Sequence, residues 1–488
     1  MFKSLGEHVR ECSPDYCPGE VGEYRWHDPI KVSDNLLQVG RSRKRPGGKA
    51  KQEATEETPS QRRIRLACDA CPELAGYGPP DTSPAAQLGS LKYQAAKFVP
   101  GVVPEGPELE AAINKTLEFY PKTSVPKGFE NERADVSRQM IREAFAKMNG
   151  TAVPGTPYAF TYPRKSDWIE KDLECLVDMV LIRLCLLEYS SSSTVEALYN
   201  TTLIDLGYQD PVSVFVKDEP HTIEKIKQGR YRLIANCTLV EEAIKRLLFA
   251  EQNDADKNDC YNECGSAGGW DWTTDEAAAR CFECIRPWLS NAATSDVSAW
   301  DWSVKEWMFM AELEIRRRLN GASTKSSWYK ISYNVYKSFC RSVYVLTDGS
   351  AYTLEHPGVQ KSGDYNTTTT NGRIRNLIAV LVGSDKSKSA GDDNISTWVD
   401  DAVQKYAKYG IRVTDYERVK DGKVKFCSAT FTESKAIPDS AMKSLYKLLW
   451  SQPSYMLLDT FRNEFRHAPD LERAEAAILR SGYLADLA

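Results

Sequence analysis

The sequence predicts a mixed helix-and-strand protein, α+β or α/β, divided into several structural lobes. Three observations carry this. Segments with helical spacing of apolar residues alternate with short β-branched runs, and no internal repeat is present. The chain has 488 residues, too many for one average domain and enough for roughly three lobes. Its residues are 42% hydrophobic and 10% aromatic, so it can bury a real core and wholesale disorder is excluded.

Taken in order, residues 1–90 read differently from the rest. Between Arg41 and Arg65 stand nine basic and three acidic residues around Pro46, Gly47 and Gly48, with almost no apolar periodicity. That pattern reads as a solvated basic linker, and ordered patterns are expected to begin near Lys92. Arg133 to Met148 predicts an amphipathic helix, with Val136, Met140, Ile141, Ala144 and Phe145 at helical spacing. Trp168 to Leu187 is a second helical run. Val212 to Val216 reads as a strand, Thr294 to Asp296 as the end of an extended segment, and Val304 to Leu319 as helix. Ser342 to Leu346 is a strand candidate; Thr367 to Val382 and Thr397 to Tyr409 are helix candidates. Asp439 and Ser440 are placed to cap a helix running through Trp450. A last helix is expected from Leu471 towards Leu484, with the Ser481-Gly482 step as an alternative, earlier stop.

A net charge of −5 argues neither for nor against a polyanionic partner, because binding depends on local potential. The N-terminal stretch lacks a signal-peptide apolar core. The longest apolar run, Met179 to Leu187, contains Arg183 and is too short to span a bilayer. Thirteen scattered cysteines suit a reduced, cytosolic, soluble protein with no transmembrane segment. Cys260-x-x-x-Cys264 and Cys281-x-x-Cys284 have the spacing of a structural zinc site; four ordinary cysteines are the preferred reading.

Four segments carry chemistry. Asp296-Val297-Ser298-Ala299-Trp300-Asp301 puts a carboxylate at a strand end, where two Mg²⁺ ions about 4 Å apart need carboxylate ligands; the bland alternative is a turn or helix cap. Gly391-Asp392-Asp393 reads as a hairpin tip on either account, and functionally it would present two carboxylates beside Asp296. Ser362-Gly363-Asp364-Tyr365-Asn366-Thr367 through Asn371 opens a helix on which Thr367, Asn371, Ile374 and Ile378 share one stripe. A capped helix explains the hydroxyls but not an amide on the buried stripe, which needs partners. The Ser362-Gly363 step is expected to be flexible. Val216-Lys217-Asp218-Glu219-Pro220, followed by Lys225, Lys227, Arg230 and Arg232-Leu233-Ile234, is either a charged hairpin or a basic clamp for a triphosphate.

In the order 216–234, 296–301, 362–371 and 391–393, these segments resemble motifs F, A, B and C of viral RNA-dependent RNA polymerases. Ser362, Gly363, Thr367 and Asn371 meet the S-G-x-x-x-T-x-x-x-N pattern. Lys217, Asp218, Glu219, Arg232, Leu233 and Ile234 meet the K-D-E…R-L-I pattern. The run from Ser362 to Gly383, then Ala390 to Ser396 and Phe426 to Phe431, is similar to the sobemovirus and polerovirus group. The resemblance covers roughly 95–488.

What the resemblance implies is an α+β right-hand fold with an antiparallel palm sheet flanked by helices. It implies an N-terminal extension at 1–90, fingers at 91–290 and again at 320–365, palm at 291–319 and 366–432, and thumb at 433–488. It implies RNA-directed RNA synthesis with two Mg²⁺ ions (Mn²⁺ able to substitute) held by Asp296 and Asp392, with Asp393 assisting. Asp301 and Asn371 would read the ribose, with Ser362, Gly363 and Thr367 around the nucleotide. Lys217, Lys225 and Arg232 would meet its phosphates. Tyr409-Gly410 through Arg418 resembles motif D; because Arg scarcely deprotonates, the proton donor there is Lys420 or Lys423, or none. Phe426-Cys427-Ser428 resembles motif E, at the primer end. The implied partners are RNA template and product, ribonucleoside triphosphates and a viral terminal-protein primer. The implied location is host cytoplasm, in membrane-associated replication complexes. A reverse transcriptase and a non-catalytic RNA-binding replication scaffold are the alternatives. The family's strand before the G-D-D is apolar, whereas Asp385-Lys386-Ser387-Lys388-Ser389-Ala390 is polar, which questions the length and burial of that hairpin.

Overall fold

The computed structural model describes residues 24–43 and 57–487. Helices and two large, predominantly antiparallel sheets make an α+β architecture. The first sheet has six strands in the order Tyr24–Ser33, Leu36–Ser42, Ser350–Leu354, Val343–Val345, Val212–Val216, Leu233–Asn236. The second has five, in the order Val413–Arg418, Ala292–Val297, Asp393–Thr397, Ser387–Ala390, Gly265–Ser266. Its helical cover includes Thr367–Leu381 and Glu306–Asn320, whose Ile374, Ile378, Phe309 and Leu313 enter the largest apolar core with Trp328 and Tyr406.

Several elements follow the local chemistry. Val212–Val216 forms the expected strand, and Thr367–Leu381 the expected helix. The helix Leu471–Ser481 ends at Gly482, whose φ of 80° is left-handed and suits glycine. The helix Arg138–Ala146 starts after the Ser137 cap, so Val136 lies outside it. The second run breaks at Asp172 into Lys165–Lys171 and Leu173–Tyr189. In the run expected to be helix from Thr397, residues Asp393–Thr397 are instead a strand, and the helix spans Ala402–Lys408. For Met442–Trp450, Ser440 accepts from the Met442 amide at 3.1 Å, but the second cap is Asp470, which accepts from the Ala441 amide at 3.0 Å, not Asp439.

Order begins well before Lys92. The strands Tyr24–Ser33 and Leu36–Ser42 pair with each other, and the second pairs with Ser350–Leu354. Leu36 and Val39 are fully buried by this addition. Of the basic stretch, residues 44–56 lie outside the described residues. Its end is no linker: Thr58 and Gln61 form a reciprocal capping box, and Pro59 opens the helix Pro59–Cys68. Arg63, counted as a solvated charge, is buried and donates to the Leu449 and Ser451 carbonyls, each at 2.8 Å, closing the C-terminal helix end that Leu449 and Ser451 leave open. Non-local partners, invisible in a local window, decide these points.

The polar strand Ser387–Ala390 is both formed and fully covered: Ser387, Lys388 and Ser389 are 0–1% exposed. A hydrogen-bond network replaces apolar packing. Ser387 and Ser389 each donate to Asn376 Oδ1 at 2.7 Å and each accept from Asn394 Nδ2 at 2.8 Å. Lys388 Nζ donates to the Asn262 and Ser266 carbonyls at 2.7 and 3.0 Å, above the Trp270 ring. Burial of polar groups is tolerated once every donor finds a partner.

Candidate active site

The strand Ala292–Val297 delivers Asp296 near its end, and the hairpin between Ser387–Ala390 and Asp393–Thr397 carries Gly391 and Asp392 at its tip. Gly391 has φ of 62°, the left-handed value a two-residue hairpin demands. Ser295 pairs with Asn394; one further step of that antiparallel register sets Asp393 across from Asp296. Asp296 and Asp392 are exposed and Asp393 is half-buried. Burial raises the Asp393 carboxyl above its ordinary value, the charges of Asp392 and Asp296 raise it further, and hydrogen bonds from Cys427 oppose the rise.

Ser298 closes the strand by donating to the Arg412 carbonyl at 2.9 Å. Ala299 then turns left-handed (φ 51°, ψ 51°) into the single helical turn Trp300–Ser303, a conformation costing a non-glycine residue about 1–2 kcal/mol. The turn swings Asp301 towards the helix Thr367–Leu381, where Asn371 Nδ2 donates to Asp301 Oδ1 at 2.9 Å. Asn371 Oδ1 is buried without a partner among the described residues. Asp301 keeps some exposure but sits in a recess walled by protein, and this burial pushes its carboxyl up to about 6; the Asn371 bond lowers it and the Asp392 charge raises it.

The segment before the helix is held rather than loose. Ser362 Oγ accepts from the Ala235 amide at 3.2 Å and Gly363 donates from its amide to the Ala235 carbonyl at 3.0 Å. A Cβ at Gly363 would meet that carbonyl oxygen at 2.7 Å, so glycine is there for close approach to the Leu233–Asn236 strand, not for flexibility. Thr367 Oγ1 bonds the Lys361 and Asp364 carbonyls at 2.8 and 2.7 Å, and the buried Lys245 pairs with Asp364.

In the basic segment, the Lys217 amide donates to the Arg232 carbonyl at 2.8 Å, pairing the two across a hairpin. Glu219, which the sequence left without a role, collects Lys217 at 2.9 Å, Lys443 at 3.3 Å and Arg232 at 3.7 Å. Burial pushes the Glu219 carboxyl up, but the three cations outweigh it and hold it below the usual range. Lys225 lies on the short helix Ile223–Lys227 nearby.

Other candidates stand further off. Val413–Arg418 pairs with the Asp296 strand, Asp415 opposite Asp296 and Arg418 opposite Ala293. Arg418 lies over the Trp398 ring at 4.5 Å. Lys420 is in the following turn, bridged to Lys423, five residues along the ladder from Asp415, or about 16 Å at 3.3 Å per residue. The Cys427 hairpin turn, in contrast, reaches the site through its bonds to Asp393. Cys281 donates to the Asp271 carbonyl and Cys284 to the Tyr261 carbonyl. Burial raises the thiols of Cys260, Cys264, Cys281 and Cys284, and Cys260 and Cys284 raise Cys281 further. Among the described residues no group of three or more His, Cys, Asp or Glu is gathered as a metal cluster. The aspartate site fits a hard divalent ion on other grounds: exposed carboxylate oxygens, a mutual repulsion that raises Asp393, and a Mg²⁺ preference for one or two carboxylates completed by substrate phosphates.

The model of the family "Viral RNA-directed RNA-polymerase" matches residues 78–443. The chain is 34% identical over 409 residues to the replicase polyprotein P2AB of Southern bean mosaic virus, covering 81% of this chain and 41% of that protein. It is 32% identical over 418 residues to protein P1-P2 of Potato leafroll virus (Scotland strain), covering 78% and 38%. It is 30% identical over 443 residues to the replicase polyprotein P2AB of Cocksfoot mottle virus, covering 88% and 46%. The chain thus spans less than half the length of these relatives.

Proposed function

The chain belongs to the viral RNA-directed RNA-polymerase family, and from its site we propose that it copies RNA from an RNA template by nucleotidyl transfer at Asp296, Asp392 and Asp393. The observation carrying this is the coincidence, on two neighbouring strands and one helix, of those carboxylates with a hydrogen-bonded Asp301–Asn371 pair.

Bound Mg²⁺ would supply Lewis acidity for the attacking hydroxyl and the departing pyrophosphate. The chain's own residues do the rest. Asp296 and Asp392 offer the ligand oxygens, and Asp393 is steadied by Cys427. Asp301 accepts, and Asn371 Oδ1 stands ready to accept, from ribose hydroxyls. Lys217 and Arg232, held together by Glu219, meet the triphosphate when it displaces that carboxylate, with Lys225 beside them. Ser362 and Gly363 fix the nucleotide pocket against the Leu233–Asn236 strand, and Thr367 fixes the start of its helix. Proton delivery to pyrophosphate falls to Lys420, with Arg418 acting through its charge.

In this reading the five-stranded sheet is the palm, the six-stranded sheet belongs to the fingers and the C-terminal helices form the thumb. A terminal-protein primer and work in membrane-associated replication complexes of the host cytoplasm belong to the same proposal. No helix among the described residues is long and apolar enough to cross a membrane. Primer extension by the purified chain, on RNA and DNA templates with ribo- and deoxyribonucleotides, tests it. Ribonucleotide addition on RNA is expected; preferential deoxyribonucleotide addition would make the enzyme a reverse transcriptase, and RNA binding without extension would make it a scaffold.

A further inference from the structure

The helix Thr367–Leu381 carries two fully buried arginines with different surroundings. Arg373 has carboxylate partners, Asp256 at 2.5 Å and Glu312 at 3.2 Å. Arg375 has none within ion-pair distance among the described residues, although it too is 0% exposed. Its Nε donates to the Asp392 carbonyl at 2.8 Å, and its Nη2 donates to Ser295 Oγ at 2.6 Å and the Ser295 carbonyl at 3.4 Å. The guanidinium lies near the Trp300 and Tyr406 rings at 5.1 and 5.6 Å, and Nη1 has no hydrogen-bond partner among the described residues.

Burying a guanidinium without a carboxylate is expensive, so its position asks for a reason. Its two anchor points are the main chain of Asp392 itself and Ser295, the neighbour of Asp296. A single rigid fork thereby spans the two strands that carry the carboxylates, and a planar guanidinium fixes direction as well as distance. Arg375 follows Asn371 by one helical turn, so one helix face holds both the sugar contact and this fork.

Resting on the reading of Asp296 and Asp392 as metal ligands, we propose that Arg375 is a positioning residue for them. It sets the separation of the Asp392 hairpin from the Asp296 strand, so that both carboxylates are already in place when metal arrives.

The test titrates Mn²⁺ into the full chain, without RNA or nucleotide, by water-proton relaxation, and measures elongation in parallel. Arg375→Met should weaken Mn²⁺ binding about tenfold, or 1.4 kcal/mol, and lower kcat while leaving the nucleotide KM within about twofold. Arg375→Lys, keeping the charge but one donor group, should recover part of both. Ser295→Ala removes one anchor without a buried charge, and should weaken Mn²⁺ by about threefold, fewer than one lost hydrogen bond to a charged group would allow at most. Should Arg375→Met fail to fold, Arg375→Lys and Ser295→Ala decide alone. Native Mn²⁺ affinity and kcat in the folded variants, with both lost in Asp392→Ala, overturn the positioning role only. Native affinity in Asp296→Ala and Asp392→Ala overturns the ligand reading beneath it.

Discussion

Asn371 donates to Asp301 at 2.9 Å across seventy residues of sequence, and the amide's other end, Oδ1, is buried with no partner among the described residues. Half of the side chain is spent on orienting a carboxylate and half is left for something the protein does not contain. A hydroxyl donor completes both acceptors, and a sugar lacking it leaves them unpaired.

Asn371→Ala and Asp301→Ala should therefore slow ribonucleotide addition far more than deoxyribonucleotide addition. With about 1–3 kcal/mol per orphaned group, each substitution should cost about tenfold to a hundredfold in discrimination. The two effects should be strongly non-additive, because the side chains touch. Parallel single-nucleotide extension with the two sugars checks this, and equal slowing would defeat it.

Asp301 also carries a stability cost with a definite sign. Its folded carboxyl titrates at about 6, above its unfolded value, so the native state holds a proton that the unfolded chain has released. Stability from this group is present in acid and is lost as pH rises through about 6. Asp301→Asn should accordingly stabilise the protein at pH 8 by on the order of 2 kcal/mol, after discounting for partial exposure, with the gain vanishing near pH 4. Thermal unfolding across pH reads the difference.

Asp296→Ala and Asp392→Ala are each expected to abolish nucleotide addition without loss of melting temperature. Both carboxylates are exposed and crowded by like charge, so removing one relieves repulsion. Elongation with Mg²⁺ and a melting curve on the same preparation provide the check; near-native extension by either variant would count against the site.

The polar strand beneath the hairpin makes a separate forecast. Asn394→Leu removes the bond that Ser387 and Ser389 each accept, while both keep the bond they donate to Asn376, at roughly 0.5–1.5 kcal/mol per lost bond. It should lower stability by about 1–3 kcal/mol in denaturant titration. A loss below about 1 kcal/mol would mean that the hydroxyls find other partners.

For proton delivery, single-turnover rates across pH should separate Lys420→Leu from Arg418→Leu. A lysine acid loses its limb of the pH profile on substitution, whereas an arginine acts through charge and lowers the rate at every pH. By the ladder Arg418 stands two residues nearer to Asp296 than Lys420 does. Unchanged profiles in both variants would leave the site without a proton donor from this segment.

The sequence by itself determined the α+β class, the chemical identity of the site, and the strand and helix on which its central residues sit. Asp296 at a strand end, Asp392 at a Gly-Asp hairpin tip and Asn371 one turn into a helix are all written in local spacing, because turn chemistry and helical periodicity act over a few residues. Tertiary structure alone decided what each side chain meets. Ser387–Ala390 is a buried strand because Asn376 and Asn394 satisfy it, and Arg63 is buried because helix-end carbonyls near residue 450 accept its donors. Gly363 serves close approach to Ala235, and Arg375 bridges Ser295 to Asp392. Each of these depends on partners from 7 to 388 residues away. No local pattern encodes such pairs, since a polar residue declares its need for a partner but not which one the fold will bring.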